Sequence, residues 1–566
     1  MTITRKRLLL GAAALAASAA IALSGCTTSG GTTKSSGSNS TVTLFTGQVG
    51  NFTENFNPLN PTGTYLQPTQ GVIYESLFYY NKAEAEKPVP VLGTSFTWNS
   101  TGTQLTVKLR QGVKWSNGKP ETADDVVYSL NLVSNNPALN TSGVTWNATK
   151  VDASTVQITF PSPSFTLEPQ ILGNEPIVPE SIWKGISNPT TTTNTSPVGT
   201  GPYMLKSFTP QSFVLEKNPN YWGTGADAPK IAQVRYISLS NADAATSALE
   251  AGQVDYMGSY LPTLKSIVAQ HKNVSYSNSP QATTSLFTCE NASLGCTGPQ
   301  TDAAVRQAMY YAMDRTQLNT QALAGYGQTA SPTLLPPAIN KAQIMDPANL
   351  AVPQTANASK AKSILEADGW TLGSNGYFSK NGKELDMSVN VVSGWTDYDT
   401  DCTLLQGQFK NAGIKLSVNQ MADNAWTQAE VSGKYELSLD SINMGASSNP
   451  YYQYNNYLNS KATAKVGSPA TTNTSRFSDP TIDSALKTLA TTNQTSVENA
   501  AYTTIQNELV KEMPYIPIYV NQALAEYNNS RATGWPSQSN QYAFPLPWGG
   551  NWGVGIVLKT IRPVGK

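Results

Sequence analysis

At 566 residues the chain is too long for one hydrophobic core, and ~100–200 residues per domain predicts three or four domains or two large lobes. The 37 Lys and Arg balance the 37 Asp and Glu, so there is no net basic charge to neutralise phosphates, which argues against a nucleic-acid binder. A single histidine, His271, excludes every metal site that needs two, and 39% hydrophobic residues exclude wholesale disorder.

In chain order, Arg5, Lys6 and Arg7 precede an apolar run of 16 residues, Leu8 to Leu23. That is short of the ~20 residues of a membrane span, so the run reads as the core of a secretory signal. It ends Leu23-Ser24-Gly25-Cys26, which resembles a bacterial lipobox. The resemblance implies cleavage after residue 25 and lipidation of Cys26. Residues 27–40 are nearly all Ser, Thr and Gly and form a tether. The expected layout is a signal peptide over 1–25, a lipidated cysteine and linker over 26–43, and a body held at the outer face of the cell membrane. In a cell with an outer membrane that place is the periplasm.

Residues 41–110 hold short apolar runs such as TVTLF and TQLTVKLR, predicting strands with one short helix near 69–78. Residues 113–133 read as a turn at Asn117-Gly118 and then a helix. Thr122 and Asp125 have capping-box spacing, and Val126, Val127, Leu130 and Val133 share one face. A strand follows at 154–160 and a loop at 186–200. Cys289 and Cys296 bracket a polar loop, and the spacing allows a disulfide or two free thiols. In TDAAVRQAMYYAMDRTQL (301–318) Ala304, Ala308 and Ala312 form one row and Val305, Met309 and Met313 the next, predicting an amphipathic helix. Helices near 358–368 and 402–411 alternate with strands at 386–392, 414–420 and 435–444, an order that suggests a parallel-rich lobe. Cys402 reads as a buried thiol. A helix at 496–512 leads into MPYIPIYV, and the last forty residues read as irregular and aromatic.

Three blocks are similar to the family 5 extracellular solute-binding proteins of ABC importers, the oligopeptide- and dipeptide-binding group. They are VKWSNGKPETADDVVYSL (113–130), GTGPYMLKSFTPQSFVLEKNPNYWG (199–223) and AVRQAMYYAMDRTQL (304–318). Physically these build the fold. Gly199, Gly201 and Pro202 make a tight bend, Asn218, Pro219, Tyr221 and Trp222 a packed turn, and Arg306 with Asp314-Arg315 cap or bridge a helix. The resemblance implies an α/β, two-lobed, periplasmic-binding-protein-like fold of the large cluster, with the ligand cleft between lobes. Lobe 1 would hold 44–300 and 521–566, with an extra subdomain at about 80–195, and lobe 2 would hold 301–520. It also implies a monomer that closes on its solute and docks on ABC permease subunits, without cofactor, metal or covalent chemistry.

Peptide binders of this group commonly hold the peptide's ammonium with an aspartate in a block like G-W-x-x-D-Y-x-D-P. The matching stretch here is SINMGASSNPYYQY (441–454). Anchored on Asn449-Pro450, it puts Ala446 at the aspartate and Asn443 at the tryptophan. The expected ligand-binding residues are Trp395, Tyr398, Trp426, Asn443, Met444 and Tyr451 on the lobe 2 side, and Thr64 and Tyr65 on the lobe 1 side. Aromatic faces with amide and hydroxyl groups also suit a neutral oligosaccharide. A small peptide thus ranks first by family and an oligosaccharide second by residue chemistry. The enzyme alternative, a secreted hydrolase, lacks a G-x-S-x-G elbow, and Ser181-x-x-Lys184 and Ser484-x-x-Lys487 stand without companion motifs. An adhesin would show repeats, and none is present.

Overall fold

The computed structural model describes residues 40–60, 66–67, 69–140, 142–470, 472–548 and 552–565. The signal segment, Cys26, Thr64 and Tyr65 lie outside the described residues. The dominant element is a mixed sheet of ten strands. In chain order these are β1 (Thr41–Phe45), β2 (Tyr203–Thr209), β3 (Ser212–Lys217), β4 (Gln233–Ile237), β5 (Tyr256–Met257), β6 (Val274–Thr288), β7 (Asp386–Val392), β8 (Lys415–Met421), β9 (Leu437–Asn443) and β10 (Tyr515–Asn528). Across the sheet they run β8-β7-β9-β6-β10-β5-β1-β4-β3-β2.

β7 pairs in parallel with both β8 and β9, as the strand–helix–strand order predicts. β1 lies parallel between β4 and β5. The two wings meet at β6 and β10, which run antiparallel along nearly their whole length. β9 joins only the second half of β6, Ala282–Thr288, and β5 touches β10 only at Glu526 and Tyr527. A core with Leu44, Leu215 and Tyr236 packs on the β1 wing, and another with Val389, Leu405 and Leu439 packs on the β7 wing. β6 and β10 are therefore the seam between them. Their ladder slips after Pro280 and after Thr284. Proline cannot donate to a ladder, and Pro280 borders the first slip while Pro517 faces Ser285 at the second. Buried hydroxyls along β6 are paired: Thr283 donates to the Leu334 carbonyl at 2.8 Å, and Ser277 bonds the Tyr527 hydroxyl at 2.8 Å.

A second sheet of four strands takes the order Gly93–Trp98, Gln104–Leu109, Thr155–Thr159, Asn147–Asp152. The helix Ala123–Ser134 packs on it, burying Val126, Leu130 and Val133, while Val127 is only half-buried. Both arms of the Thr122–Asp125 capping box form. Cys289 and Cys296 are joined by a disulfide, with Cα atoms 5.5 Å apart, and Cys402 is a buried free thiol.

Four expectations change. Residues 69–78 contain a turn, not a helix. The Val72 and Ile73 carbonyls there accept from Tyr203 and Gly201, so they are lost to any helical ladder. The approach is close enough that a Cβ on Gly199 would sit 1.9 Å from the Ile73 oxygen. The motif glycines thus press one backbone against another. The helix near 402–411 begins a turn and a half earlier, at Thr396. The helix over 301–318 splits into Ala303–Ala312 and Arg315–Ala322, because Asp314 caps the second with a 2.8 Å bond from the Gln317 amide. The aromatic tail contains a helix, Gly553–Thr560. Arg306 and Arg315 do bridge: buried Arg306 pairs with Glu290 and Glu512, and Arg315 donates to the Pro517 carbonyl on β10.

Candidate functional site

The expected ligand residues fall into two groups. Trp395 caps the helix Thr396–Asn411, and its ring lies 5.6 Å from both Tyr398 and Trp426. Trp395 is 41% exposed, whereas Trp426 is only 7% exposed and its buried indole N–H has no acceptor among the described residues. The Tyr398 hydroxyl bonds Ser441 on β9 at 2.5 Å, and Ser441 bonds Thr284 on β6 at 3.0 Å. Burial raises the Tyr398 pKa. This chain of contacts ties the aromatic cluster to the seam. Asn443 is exposed at the end of β9, its amide donating to the Tyr457 hydroxyl at 3.1 Å, and Met444 beside it is buried. Next to this group, at the first slip of the seam, is a cavity of about 190 Å³ lined by Ser259, Tyr260, Gln281, Asp397, Gln522 and Trp548. Burial raises the Asp397 pKa.

Tyr451 belongs elsewhere. It lies on the helix Pro450–Leu458 and lines a cavity of about 520 Å³ with Tyr452, 5.8 Å from ring to ring. The opposite wall comes from residues 58–176 and Trp552. Pro58, Leu59 and Gln70 of that wall flank the stretch that contains Thr64 and Tyr65. The segment 445–452 crosses to this wall through direct hydrogen bonds. Lys82 donates to the Gly445 carbonyl at 2.7 Å, Asn174 to the Ala446 carbonyl at 3.2 Å, and Ser448 to the Glu84 carbonyl at 2.9 Å. Ser447 donates to the Glu86 carboxylate. The Tyr452 hydroxyl donates to the Thr166 carbonyl at 2.5 Å and accepts from the Gln170 amide at 3.2 Å.

Reasoning from sequence did not single out Lys82, Gln170, Asn174 and Glu175, which line this cavity. One signal was present: Glu175 stands inside the apolar stretch ILGNEPIVP (171–179), where an acid is out of keeping with its neighbours. Burial lowers the Lys82 pKa to about 8 and raises that of Glu175 to about 8.

The hydrolase alternative would place paired carboxyls in a cavity. Glu430 and Asp440 share a hydrogen bond, and burial raises them to about 8 and about 7, but they line neither cavity described above. Among the described residues no group of three or more His, Cys, Asp or Glu could hold a metal, and no helix is long and apolar enough to cross a membrane.

The profile of the "Bacterial extracellular solute-binding proteins, family 5 Middle" matches residues 87–465. The glutathione-binding protein GsiB of Salmonella typhi is 25% identical over 507 residues, which cover 87% of this chain and 92% of that protein. The periplasmic oligopeptide-binding protein of Thermotoga maritima superposes with a TM-score of 0.83 at 23% identity, over 93% of this chain and 99% of that one. With mannohexaose bound, the Thermotoga maritima protein superposes with a TM-score of 0.76 over the same shares at the same identity. These two structures share the α/β fold built on a large sheet.

Proposed function

The chain belongs to the family 5 bacterial extracellular solute-binding proteins, and on that basis we propose that it captures a small peptide and delivers it to the membrane subunits of an ABC importer. The observation that carries this reading is the 520 Å³ cavity walled by residues 58–176 on one side and 446–472 on the other. Its volume is that of a small-ligand site, typically ~300–1,000 Å³. A ligand there touches both walls at once, so it favours the conformation in which they meet. Peptide capture agrees with what the glutathione- and oligopeptide-binding relatives bind. Residues 44–300 with 521–566 act as lobe 1, with the extra subdomain at about 80–195, and 301–520 act as lobe 2. β6 and β10 serve as the crossing segments. The protein works as a monomer, and lipidation of Cys26 holds it at the membrane, where it meets its permease.

A second reading is an oligosaccharide ligand. It rests on the partly exposed Trp395 beside Tyr398 and Trp426, and on the mannohexaose bound by the Thermotoga maritima protein. Thermal shift against a panel of dipeptides, oligopeptides and oligosaccharides tests both. A rise in melting temperature with peptides, without turnover of any of them, is the expected result. A rise only with glycans refutes the peptide reading, and product formation refutes the receptor role.

A further inference from the structure

We propose that the 520 Å³ cavity holds the two charged ends of a zwitterionic short peptide, its ammonium on Glu175 and its carboxylate on Lys82; this rests on the peptide function proposed above. Glu175 is 9% exposed and lines the cavity. Among the described residues no group donates a hydrogen bond to its carboxylate and no cation pairs with it. Buried carboxylates are costly unless paired, and burial here pushes the acid up to about 8. Lys82 is in the complementary position. Its ammonium spends one donor on the Gly445 carbonyl at 2.7 Å, and its other donors have no acceptor among the described residues. Burial pushes it down to about 8. No ion pair joins the two groups, and they are the charged side chains of the lining.

A cavity with one unpaired acid and one unpaired base suits a ligand that brings a cation to the first and an anion to the second. A neutral glycan brings neither. The lining also carries the amide of Asn455 for peptide groups and the rings of Tyr451, Tyr452 and Trp552 for side chains.

The test uses random dipeptide-to-tetrapeptide pools with free ends, N-acetylated, or C-amidated, titrated against the whole protein by thermal shift. The free-ended pool binds best. E175Q weakens its binding roughly thirtyfold or more, while binding of the acetylated pool stays at the parent value. K82Q does the same for the free-ended pool relative to the amidated one. The unliganded E175Q protein melts no lower than the parent, because the change replaces an unpaired buried carboxyl with an amide of the same shape. E175D keeps a weakened preference for the free ammonium. A parent that fails to distinguish free from blocked pools overturns the proposal, as does E175Q that keeps the parent's preference. If free-ended peptides bind parent, E175Q and K82Q alike, the peptide function stands and this assignment alone falls. If no peptide pool binds and oligosaccharides do, both fall together.

Discussion

Tyr452→Phe tests the proposed closing step. The hydroxyl of Tyr452 is the only atom the change removes, and it makes two bonds across the cavity wall, to the Thr166 carbonyl at 2.5 Å and from the Gln170 amide at 3.2 Å. Both partners lie at the start of the helix Glu168–Gly173 and its lead-in turn. When the walls part, water replaces the hydroxyl at both, so the change costs little in an open form. When they meet, each lost bond is worth ~0.5–1.5 kcal/mol, about 1–3 kcal/mol for the pair. At ~1.4 kcal/mol per tenfold, the closing equilibrium shifts by roughly 5- to 150-fold. Because a ligand that needs both walls binds only the closed form, its apparent affinity falls by the same factor. Calorimetry with the tightest ligand of the panel reads that fall, and small-angle scattering of the bound protein reads whether closure still occurs at saturation. The expected result is weaker binding with the same bound radius of gyration and a nearly unchanged melting temperature. An affinity within twofold of the parent would refute the assignment of these bonds to closing.

Three further outcomes follow from burial. Trp426→Ala costs about 3–5 kcal/mol of stability because the ring is nearly inaccessible, whereas Trp395→Ala, with its ring 41% exposed, costs much less; urea unfolding of both variants checks this. Arg306→Met leaves Glu290 without its buried partner and costs about 3–5 kcal/mol, again read by urea unfolding. Stability also depends on pH through raised acids: burial puts Glu75 at about 7 and Glu430 at about 8, both up from 4.5. Their folded forms hold protons that the unfolded chain releases, so this stability is fully present below about 4.5 and is lost as pH rises toward about 8. Melting temperature falls between pH 5 and pH 8, and Glu430→Gln flattens part of that fall.

The fold was legible where local chemistry and global packing demand the same residues. β7, β8 and β9 are runs of alternating or continuous apolar residues, and their burial follows from that pattern. The Thr122–Asp125 cap is a contact between near neighbours, so spacing alone finds it. The turn at 69–78 was not legible, because what prevents a helix there is the Gly199–Tyr203 backbone more than a hundred residues away in the chain. The site shares part of that difficulty. Lys82, Glu175 and Tyr451 stand far apart in sequence, and only the meeting of two distant stretches brings them to one cavity. Aromatics carry two readings for a related reason. Trp426 and Tyr398 have the chemistry of a stacking surface, but that chemistry also fills a core, and the pattern of a single segment cannot tell the two uses apart. An unpaired acid that lines a cavity has no such second use. Leaving Glu175 unpaired in an apolar run makes the empty protein less stable, and a chain tolerates that where a ligand's charge offsets the cost. The residue that breaks its local rule is therefore a better guide to the ligand than the residues that keep theirs.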